Sequence, residues 1–169
     1  AESGFYAGTW ASSVDFGDDT TMEIDFYGGY AFSAGGFDFD LGGIYYAYPN
    51  SPKIAGEDQD FLEFYAGGSR SFGSLTFDAK LSYSEDFYAG TGQSFYTEAG
   101  AAFALSDSLS LGARIGSSTF NDLSGADYDD WQIGLSGEAW GVGWDVRFHD
   151  TSDIFGDAFV ISISQSFGS

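Results

Sequence analysis

The sequence predicts an all-β protein: an antiparallel up-and-down transmembrane β-barrel of about ten strands, in a single domain over residues 1–169. Three observations lead to this prediction. Apolar and polar residues alternate with a period of two along most of the chain, as they do in strands with two different faces. The alternating segments are each about ten residues long, the length of a tilted membrane strand. The connections alternate between long and short, as in outer-membrane barrels.

Nine of the ten segments show a clear apolar face and a clear polar face. The first segment, residues 5–14, alternates weakly, and Tyr6, Trp10 and Val14 form its more apolar set. The predicted strands cover residues 5–14, 22–32, 37–47, 62–72, 75–83, 95–105, 109–116, 131–139, 144–149 and 157–167.

The predicted connections fall into two classes by length. Because lipid offers no partner for an open sheet edge, the first strand is expected to pair with the last and close the barrel. The long connections lie at about residues 15–20, 49–60, 84–93, 117–130 and 150–157. The short ones lie at about residues 34–36, 73–74, 106–108 and 141–143.

Charged residues are distributed unequally between the two faces. The apolar faces carry a single charge, Arg70, close to a short turn. A charge on the lipid face costs about 2–4 kcal/mol at the bilayer midplane, so lipid contact would select this exclusion. Aromatic residues at both ends of the strands predict two interfacial girdles. One girdle comprises Tyr45, Phe61, Phe64, Tyr83, Trp131 and Phe148; the other comprises Phe32, Phe37, Phe72, Phe103 and Phe167.

Composition excludes several other classes of protein. The chain has 26 acidic and 5 basic residues, so it lacks the basic patch that nucleic-acid binding requires. Its 20% aromatic content argues against acidic disorder. The absence of cysteine removes disulfides and thiolate metal sites. A soluble β-sandwich stays open as an alternative, since it also produces alternation.

The charges on the polar faces are the main functional candidates. Nine acids and three bases would line a negative lumen, which admits cations and rejects anions. Lys80, Arg114 and Arg147 could face acids across the bore, while inward glycines such as Gly100 and Gly134 would leave room for water. The predicted pore-lining residues are Glu23, Asp25, Asp38, Asp40, Glu63, Asp78, Lys80, Glu98, Arg114, Glu138, Asp145 and Arg147.

Three further readings remain open. The interior could be filled, which would make the chain a non-conducting barrel that displays acidic loops. The loop acids could loosely hold divalent cations that bridge to lipopolysaccharide, although a solvated rim explains them as well. His149, beside Asp150 and close to Asp153, could belong to a hydrolase at the barrel mouth. No catalytic motif supports an enzyme, and no cofactor is expected.

Four stretches resemble a known family. They are GFYAGTWAS at Gly4–Ser12, GIYYAYP at Gly43–Pro49, SYSEDF at Ser82–Phe87 and ISQSF at Ile163–Phe167. In order and spacing the chain resembles the TorF-like porins, outer-membrane β-barrels of proteobacteria. The resemblance implies a channel for small solutes or ions in the outer membrane of a Gram-negative bacterium. It also implies twelve strands, so the chain is expected to lack the family's first hairpin.

Membrane lipid, lipopolysaccharide and small solutes or ions are the partners that this interpretation implies. The bulky outward aromatic residues could face lipid or a neighbouring copy of the chain, so a homo-oligomer is an alternative to a monomer.

Overall fold

Ten antiparallel β-strands form one sheet in the computed structural model, which describes residues 4–152 and 156–166. The strands follow one another in the sheet in chain order, which is an up-and-down topology. This confirms the predicted all-β antiparallel fold and its ten strands. The strands are β1 (Phe5–Ser13), β2 (Met22–Ala34), β3 (Phe37–Ala47), β4 (Phe61–Phe72), β5 (Leu75–Ser84), β6 (Ser94–Ser106), β7 (Leu109–Phe120), β8 (Tyr128–Ala139), β9 (Val142–Thr151) and β10 (Ala158–Ser164).

The sheet has two end strands, β1 and β10, and it is not closed into a barrel over the described residues. The predicted pairing of the first strand with the last is therefore not formed there, and Phe167 lies outside the described residues. β10 pairs with β9 from Ala158 to Ser164. Its Phe159, Ile161 and Ile163 are 76%, 72% and 78% exposed, as expected for apolar side chains on an uncovered end strand.

The chain divides into two compact units that cut across β4 to β7. The first unit contains β1 to β3 and one end of each of these four strands; the second contains their other ends and β8 to β10. The first unit comprises Ala1–Gly68, Lys80–Tyr96 and Ser118–Asp127. The second comprises Ser69–Ala79, Thr97–Ser117 and Tyr128–Ser169.

The short connections are tight hairpin turns. Gly35 and Gly36, between β2 and β3, have φ angles of 62° and 79°. The β8–β9 turn consists of Trp140 and Gly141, with φ angles of 54° and 76°. Two-residue hairpins of this kind need positive φ at both positions, which explains the glycines. Because β9 begins at Val142, the short connection predicted at 141–143 lies one residue earlier.

Four long connections are fully described: L1 (residues 14–21), L2 (48–60), L3 (85–93) and L4 (121–127). L4 is much shorter than the 117–130 predicted, because β7 runs on to Phe120 and β8 already begins at Tyr128. Ser118, which falls within the predicted loop, is buried within the strand. L3 includes one 3-10 turn. Within the described ranges, no helix is long and apolar enough to cross a membrane.

Burial on the strands is inverted relative to a soluble protein. Along β8, Trp131, Ile133 and Leu135 are exposed, whereas the alternate residues Gln132 and Ser136 are half-buried. The most buried strand positions are mainly small and polar. They include Ser82, Ser84, Ser94 and Ser118, and Phe61 is the large apolar exception. The alternation therefore gives one exposed apolar face and one shielded polar face, as predicted.

The structure resolves the ambiguous facing of β1. Trp10 is paired with Asp25 of β2, and directly opposed residues share a face of the sheet. Tyr6, four residues earlier, hydrogen-bonds Asp40 on the same face. The more apolar set of β1 thus lies on the polar face.

Phe61 was predicted in the outer aromatic girdle, and this prediction is wrong. Its side chain is buried and stacks on Tyr46, with ring centroids 4.4 Å apart. Period-two alternation along β4 places Phe61 on the same face as Glu63 and Tyr65. The position of Phe61 near a long loop suggested that it belongs to a girdle. The alternation of side chains along β4 places its ring on the polar face instead.

Candidate functional site

Glycines on the polar face receive large side chains from neighbouring strands. In the first unit, a Cβ added to Gly29 would lie 2.6 Å from Cζ of Tyr6, and one added to Gly42 would lie 2.5 Å from Cζ of Tyr65. Each tyrosine ring therefore lies directly over a glycine. These contacts explain why glycine interrupts strands that otherwise favour bulky residues.

The second unit shows the same arrangement with charged groups. A Cβ on Gly100 would meet Asp78 Oδ1 at 2.6 Å, and one on Gly134 would meet Arg147 Cγ at 2.5 Å. The sequence predicted that inward Gly100 and Gly134 leave room for water. That prediction is wrong for these two positions, because neighbouring side chains occupy the space.

A group of side chains on the polar face of the first unit joins β1, β3, β4 and β5. The Tyr6 hydroxyl donates a hydrogen bond to Asp40 Oδ1 at 2.6 Å and is also hydrogen-bonded to the Tyr65 hydroxyl. Lys80 Nζ lies 5.5 Å from the centroid of the Tyr65 ring, a cation–π distance. Asp38, nearer the β2–β3 turn, accepts a hydrogen bond from Ser33 at 2.5 Å.

Arg114 and Arg147 pair with acids on the polar face of the second unit. Arg114 of β7 lies 2.5 Å from Asp78 of β5 and 2.7 Å from Glu98 of β6. Arg147 donates from Nε to Asp145 of its own strand at 2.7 Å and from Nη1 to Gln132 of β8 at 3.0 Å. In the described sheet their partners lie on the same or nearby strands, and pairing of these arginines with acids across a bore stays a prediction.

The remaining predicted lining residues lie at different heights on the polar face. Glu23 accepts a hydrogen bond from the Tyr48 hydroxyl at 2.6 Å. Asp25 has a buried Oδ1 without a hydrogen-bond partner. Glu63 is half-buried, and Glu138 is exposed beside the β8–β9 turn. The structure therefore brings the predicted residues together as several small groups.

Three long loops of the first unit, L1, L2 and L3, meet at one buried amide, Gln59 of L2, which is 0% exposed. Its Nε2 donates to Asp18 Oδ2 of L1 at 2.7 Å and to the Pro52 carbonyl at 2.9 Å. Its Oε1 accepts from Thr20 Oγ1 at 3.0 Å and from the Tyr88 hydroxyl of L3 at 2.7 Å. Both donor hydrogens and both acceptor sites of the amide are thus used.

Three aromatic rings pack together, one from each of the same loops. Phe16 of L1, Tyr48 of L2 and Tyr88 of L3 have pairwise centroid distances of 5.6 Å. All three contacts are edge-to-face, a favourable geometry for aromatic pairs. Because the Tyr48 hydroxyl bonds Glu23, the aromatic group is also attached to β2.

L3 makes a second attachment through Phe87. Its ring lies 4.5 Å from that of Phe61 and 5.3 Å from that of Phe120. A continuous row of rings thus runs from Tyr46 of β3 to Phe120 of β7 within the first unit. We call the residues Phe16, Asp18, Thr20, Tyr48, Pro52, Gln59, Phe87 and Tyr88 the loop cluster.

Hydrogen bonding and burial tune the titratable groups of the loop cluster. Hydrogen bonding to Thr20 is the main cause that lowers the pKa of Asp18 below its ordinary value of 3.8, and Gln59 contributes to the same shift. Burial, followed by the hydrogen bond to Glu23, raises the pKa of Tyr48. Burial and the nearby Asp18 raise the pKa of Tyr88. Asp18 therefore stays an anionic acceptor, and both tyrosines stay neutral donors.

Sequence reasoning missed Gln59 and Phe87 altogether. Gln59 stands in an acidic loop stretch, where it gives no periodic signal. Tyr48 and Pro49 belong to the aromatic motif that carried the family resemblance. The density of aromatic residues in that motif was the available sign that L2 packs against something.

Two other predicted sites receive no support. Within the described ranges, no group of three His, Asp or Glu residues could hold a metal ion. His149 lies on β9 opposite Gln132 and Ala158, and Asp153 lies outside the described residues. The barrel-mouth hydrolase remains an untested prediction.

Fold and site together define an all-β up-and-down protein with an exposed apolar face, a charged polar face and interlocked loops. Over residues 1–160 the chain matches a family described as a bacterial protein of unknown function (Gcw_chp), and it belongs to that family. A comparison with proteins of curated function finds no match.

Proposed function

We propose that the chain is an outer-membrane β-barrel of a Gram-negative bacterium and forms a narrow, cation-preferring channel for small solutes or ions. The supporting observation is the inverted burial of the strands. Large apolar side chains such as Phe64, Phe77 and Ile133 are exposed, while serines and charged groups occupy the shielded face. Lipid around the sheet accounts for this arrangement, whereas a soluble sandwich would bury its apolar faces.

In this proposal β1 pairs with β10 to close the sheet. Both end strands expose large apolar residues, among them Phe5 of β1 and Ile161 of β10. A membrane-spanning sheet needs closure because hydrocarbon cannot satisfy the polar groups of a free edge. Membrane lipid and lipopolysaccharide would then be the partners of the outer face.

Cation preference follows from the charges of the polar face. The nine acids outnumber the three bases, and Arg114 already contacts two of the acids. An acidic lining attracts cations and rejects anions. Ten strands lie close to the eight-stranded size whose interior is filled by side chains, so the solutes would be small. The resemblance to TorF-like porins supports a channel as well.

Planar-bilayer recording tests this function. We expect discrete current steps and, under a salt gradient, a reversal potential shifted toward that of the cation. Circular dichroism and protection from protease in the same lipid would establish that the protein is folded and inserted. Folded, inserted protein that passes no current would reject the channel.

A second candidate is a non-conducting barrel that displays acidic loops to a partner. The loop cluster favours it, because Gln59 joins L1, L2 and L3 with every polar group of its amide satisfied. Persistent absence of current from folded, inserted protein would favour this candidate over the channel.

A further inference from the structure

We propose that L1, L2 and L3 form a gate that opens as one unit and is held closed by the side chain of Gln59. This inference rests on the proposed channel function and identifies how that channel would be regulated. The gate belongs entirely to the first unit. Its parts are the loop cluster and the two wall residues that hold it, Glu23 and Phe61.

The first argument is the dependence of all three loops on one side chain. Gln59 bonds Asp18 and Thr20 of L1, Tyr88 of L3 and the backbone of its own loop at Pro52. Loss of the Gln59 amide would therefore remove these hydrogen bonds from L1 and L3 at once, and it would leave the three packed rings as the contact between the loops.

The second argument is that the hydrogen bonds of the loop cluster are reversible. Water can replace the partners of Gln59, Asp18 and Thr20 when the loops separate. Breaking these hydrogen bonds costs little free energy, because water replaces the lost partners. Exposing an apolar core to water costs far more. Phe16, one of the three packed rings, is already exposed in the closed arrangement. Local opening of such a region requires far less than global unfolding.

The third argument is backbone strain in these loops. Among the described residues, four of the five non-glycine residues with positive φ lie in L1, L2 or L3. They are Asp19 (74°), Asn50 (61°), Ala55 (54°) and Ala89 (57°). Such conformations persist only where surrounding contacts hold them, and they occur in switch regions. The closed loops L1, L2 and L3 therefore hold backbone strain that opening would relieve.

Gln59→Glu is the variant that tests the gate. It keeps the size of the side chain but replaces the donor that faces Asp18 with an oxygen, and it adds a like charge beside that carboxylate. Gln93→Glu is the matched control, because Gln93 accepts a hydrogen bond from Asn121 in an exposed contact outside the cluster. Both variants add one negative charge to the long loops of the first unit.

Two measurements are made on full-length protein in lipid: hydrogen exchange of loop amides and single-channel open probability. Gln59→Glu removes the two hydrogen bonds that Nε2 donates. We expect exchange in L1, L2 and L3 to rise together by at least about fivefold, the effect of losing a single hydrogen bond. Open probability should rise with it. Gln93→Glu should leave both quantities at the wild-type level.

A variant with the opposite expected effect on open probability strengthens the test. Ala55 has a φ of 54° in the small turn where Ile54 and Glu57 are paired. Glycine adopts this conformation without the clash of a Cβ, so Ala55→Gly should stabilise the closed loops and lower the open probability. If Gln59→Glu does not fold, Tyr88→Phe takes its place. This variant removes one hydrogen bond to Gln59 and should raise loop exchange and open probability by a smaller amount.

The outcomes separate the gate from the channel. Faster exchange confined to L2, or no change in any loop, overturns the coupled unit. Coordinated exchange in a conducting protein whose open probability is unchanged overturns the gate and leaves the channel standing. Coordinated exchange with no current in any variant overturns the channel and the gate with it. Coordinated exchange with raised open probability supports the proposal.

Discussion

Arg114 Nη2 lies 2.5 Å from Asp78 Oδ2, although β6 stands between the strands that carry the two residues. Glu98 on that intervening strand binds the other end of the same guanidinium at 2.7 Å. The three side chains therefore tie β5, β6 and β7 together on the polar face of the second unit. A group with five fixed donors suits this task better than lysine would.

Replacing Arg114 should destabilise the fold and strengthen the cation preference of the proposed channel. Arg114→Met keeps much of the side chain's length and leaves Asp78 and Glu98 without their shared partner. Since these groups are less than a third exposed, we expect the free energy of unfolding to fall by about 1–2 kcal/mol. Urea titration in lipid vesicles measures this change, and the reversal potential should shift further toward the cation.

Lys53→Met is the control for Arg114→Met. Lys53 pairs with Asp58 at 3.0 Å, but the two side chains are 59% and 72% exposed. An exposed pair contributes about 0–1 kcal/mol, so this change should be nearly neutral. Equal losses in the two variants would contradict a structural role for the Arg114 group.

Two glycines of the polar face, Gly42 and Gly112, should differ in how much an added methyl group changes the free energy of unfolding. A Cβ at Gly42 would approach both the Tyr65 ring and the Gly28 carbonyl oxygen, the latter at 2.6 Å. We expect Gly42→Ala to lower the free energy of unfolding by about 1–3 kcal/mol, the usual cost of overpacking.

The comparison variant is Gly112→Ala, where the nearest atom is the Ala101 carbonyl oxygen at 3.9 Å. Alanine restricts the backbone of the unfolded chain more than glycine does. Gly112→Ala should therefore leave the free energy of unfolding unchanged or raise it by up to about 1 kcal/mol. The same urea titration in vesicles compares the two. If Gly112→Ala is as destabilising as Gly42→Ala, the fit of Tyr65 over Gly42 is not the cause.

Arginine substitutions on the exposed apolar face and in a loop should show whether lipid or water surrounds the sheet. Leu135 of β8 is 40% exposed and Leu123 of L4 is 42% exposed. In a bilayer, Leu135→Arg should cost about 2–4 kcal/mol, whereas Leu123→Arg in the loop should cost little. Folding titrations into lipid vesicles measure both. Equal tolerance at the two sites is the result expected of a soluble protein.

Acid should loosen the loop cluster through Asp18. Its pKa is lowered in the folded protein by hydrogen bonds from Thr20 and, less strongly, Gln59, so the folded state binds this proton less readily than the unfolded state. The stabilisation from Asp18 is therefore complete well above 3.8 and is lost as the pH falls through the lower folded pKa.

Limited proteolysis of L1 between pH 6 and pH 3 is the corresponding measurement, with an acid-tolerant protease and its activity calibrated at each pH. Cleavage should increase toward the acid end in the wild type. Asp18→Asn should cleave faster at pH 6 and show a smaller pH dependence. A wild-type profile identical to that of Asp18→Asn would remove Asp18 as the source of the effect.

Strand content and the two faces were predictable because they depend on neighbours in sequence. A period of two assigns every residue of a strand to a face once one residue is placed, and the acids marked the polar face. The same rule would have placed Phe61 correctly, had it been applied in preference to the position of Phe61 near a loop. Trp10 was ambiguous because its strand carries no acid, and only pairing with Asp25 decided its face.

The loop cluster could not be predicted in this way. Gln59, Thr20 and Tyr88 are separated by 29 to 68 residues, and no local period links positions in three different loops. The same limit applies to the arginines. Their charge and facing were predicted, but the choice between a partner across the lumen and one along the wall depends on the sheet.

By itself, the sequence determined the antiparallel strands, their faces, the two classes of connection and the acidic character of the polar face, because alternation and charge exclusion are local properties of the chain. Tertiary structure decided which side chains fill the space above Gly42 and Gly134, which acids Arg114 neutralises, and how three loops meet at Gln59. These contacts join residues that are distant in sequence. Their energies depend on distances and burial that exist only after the strands have paired.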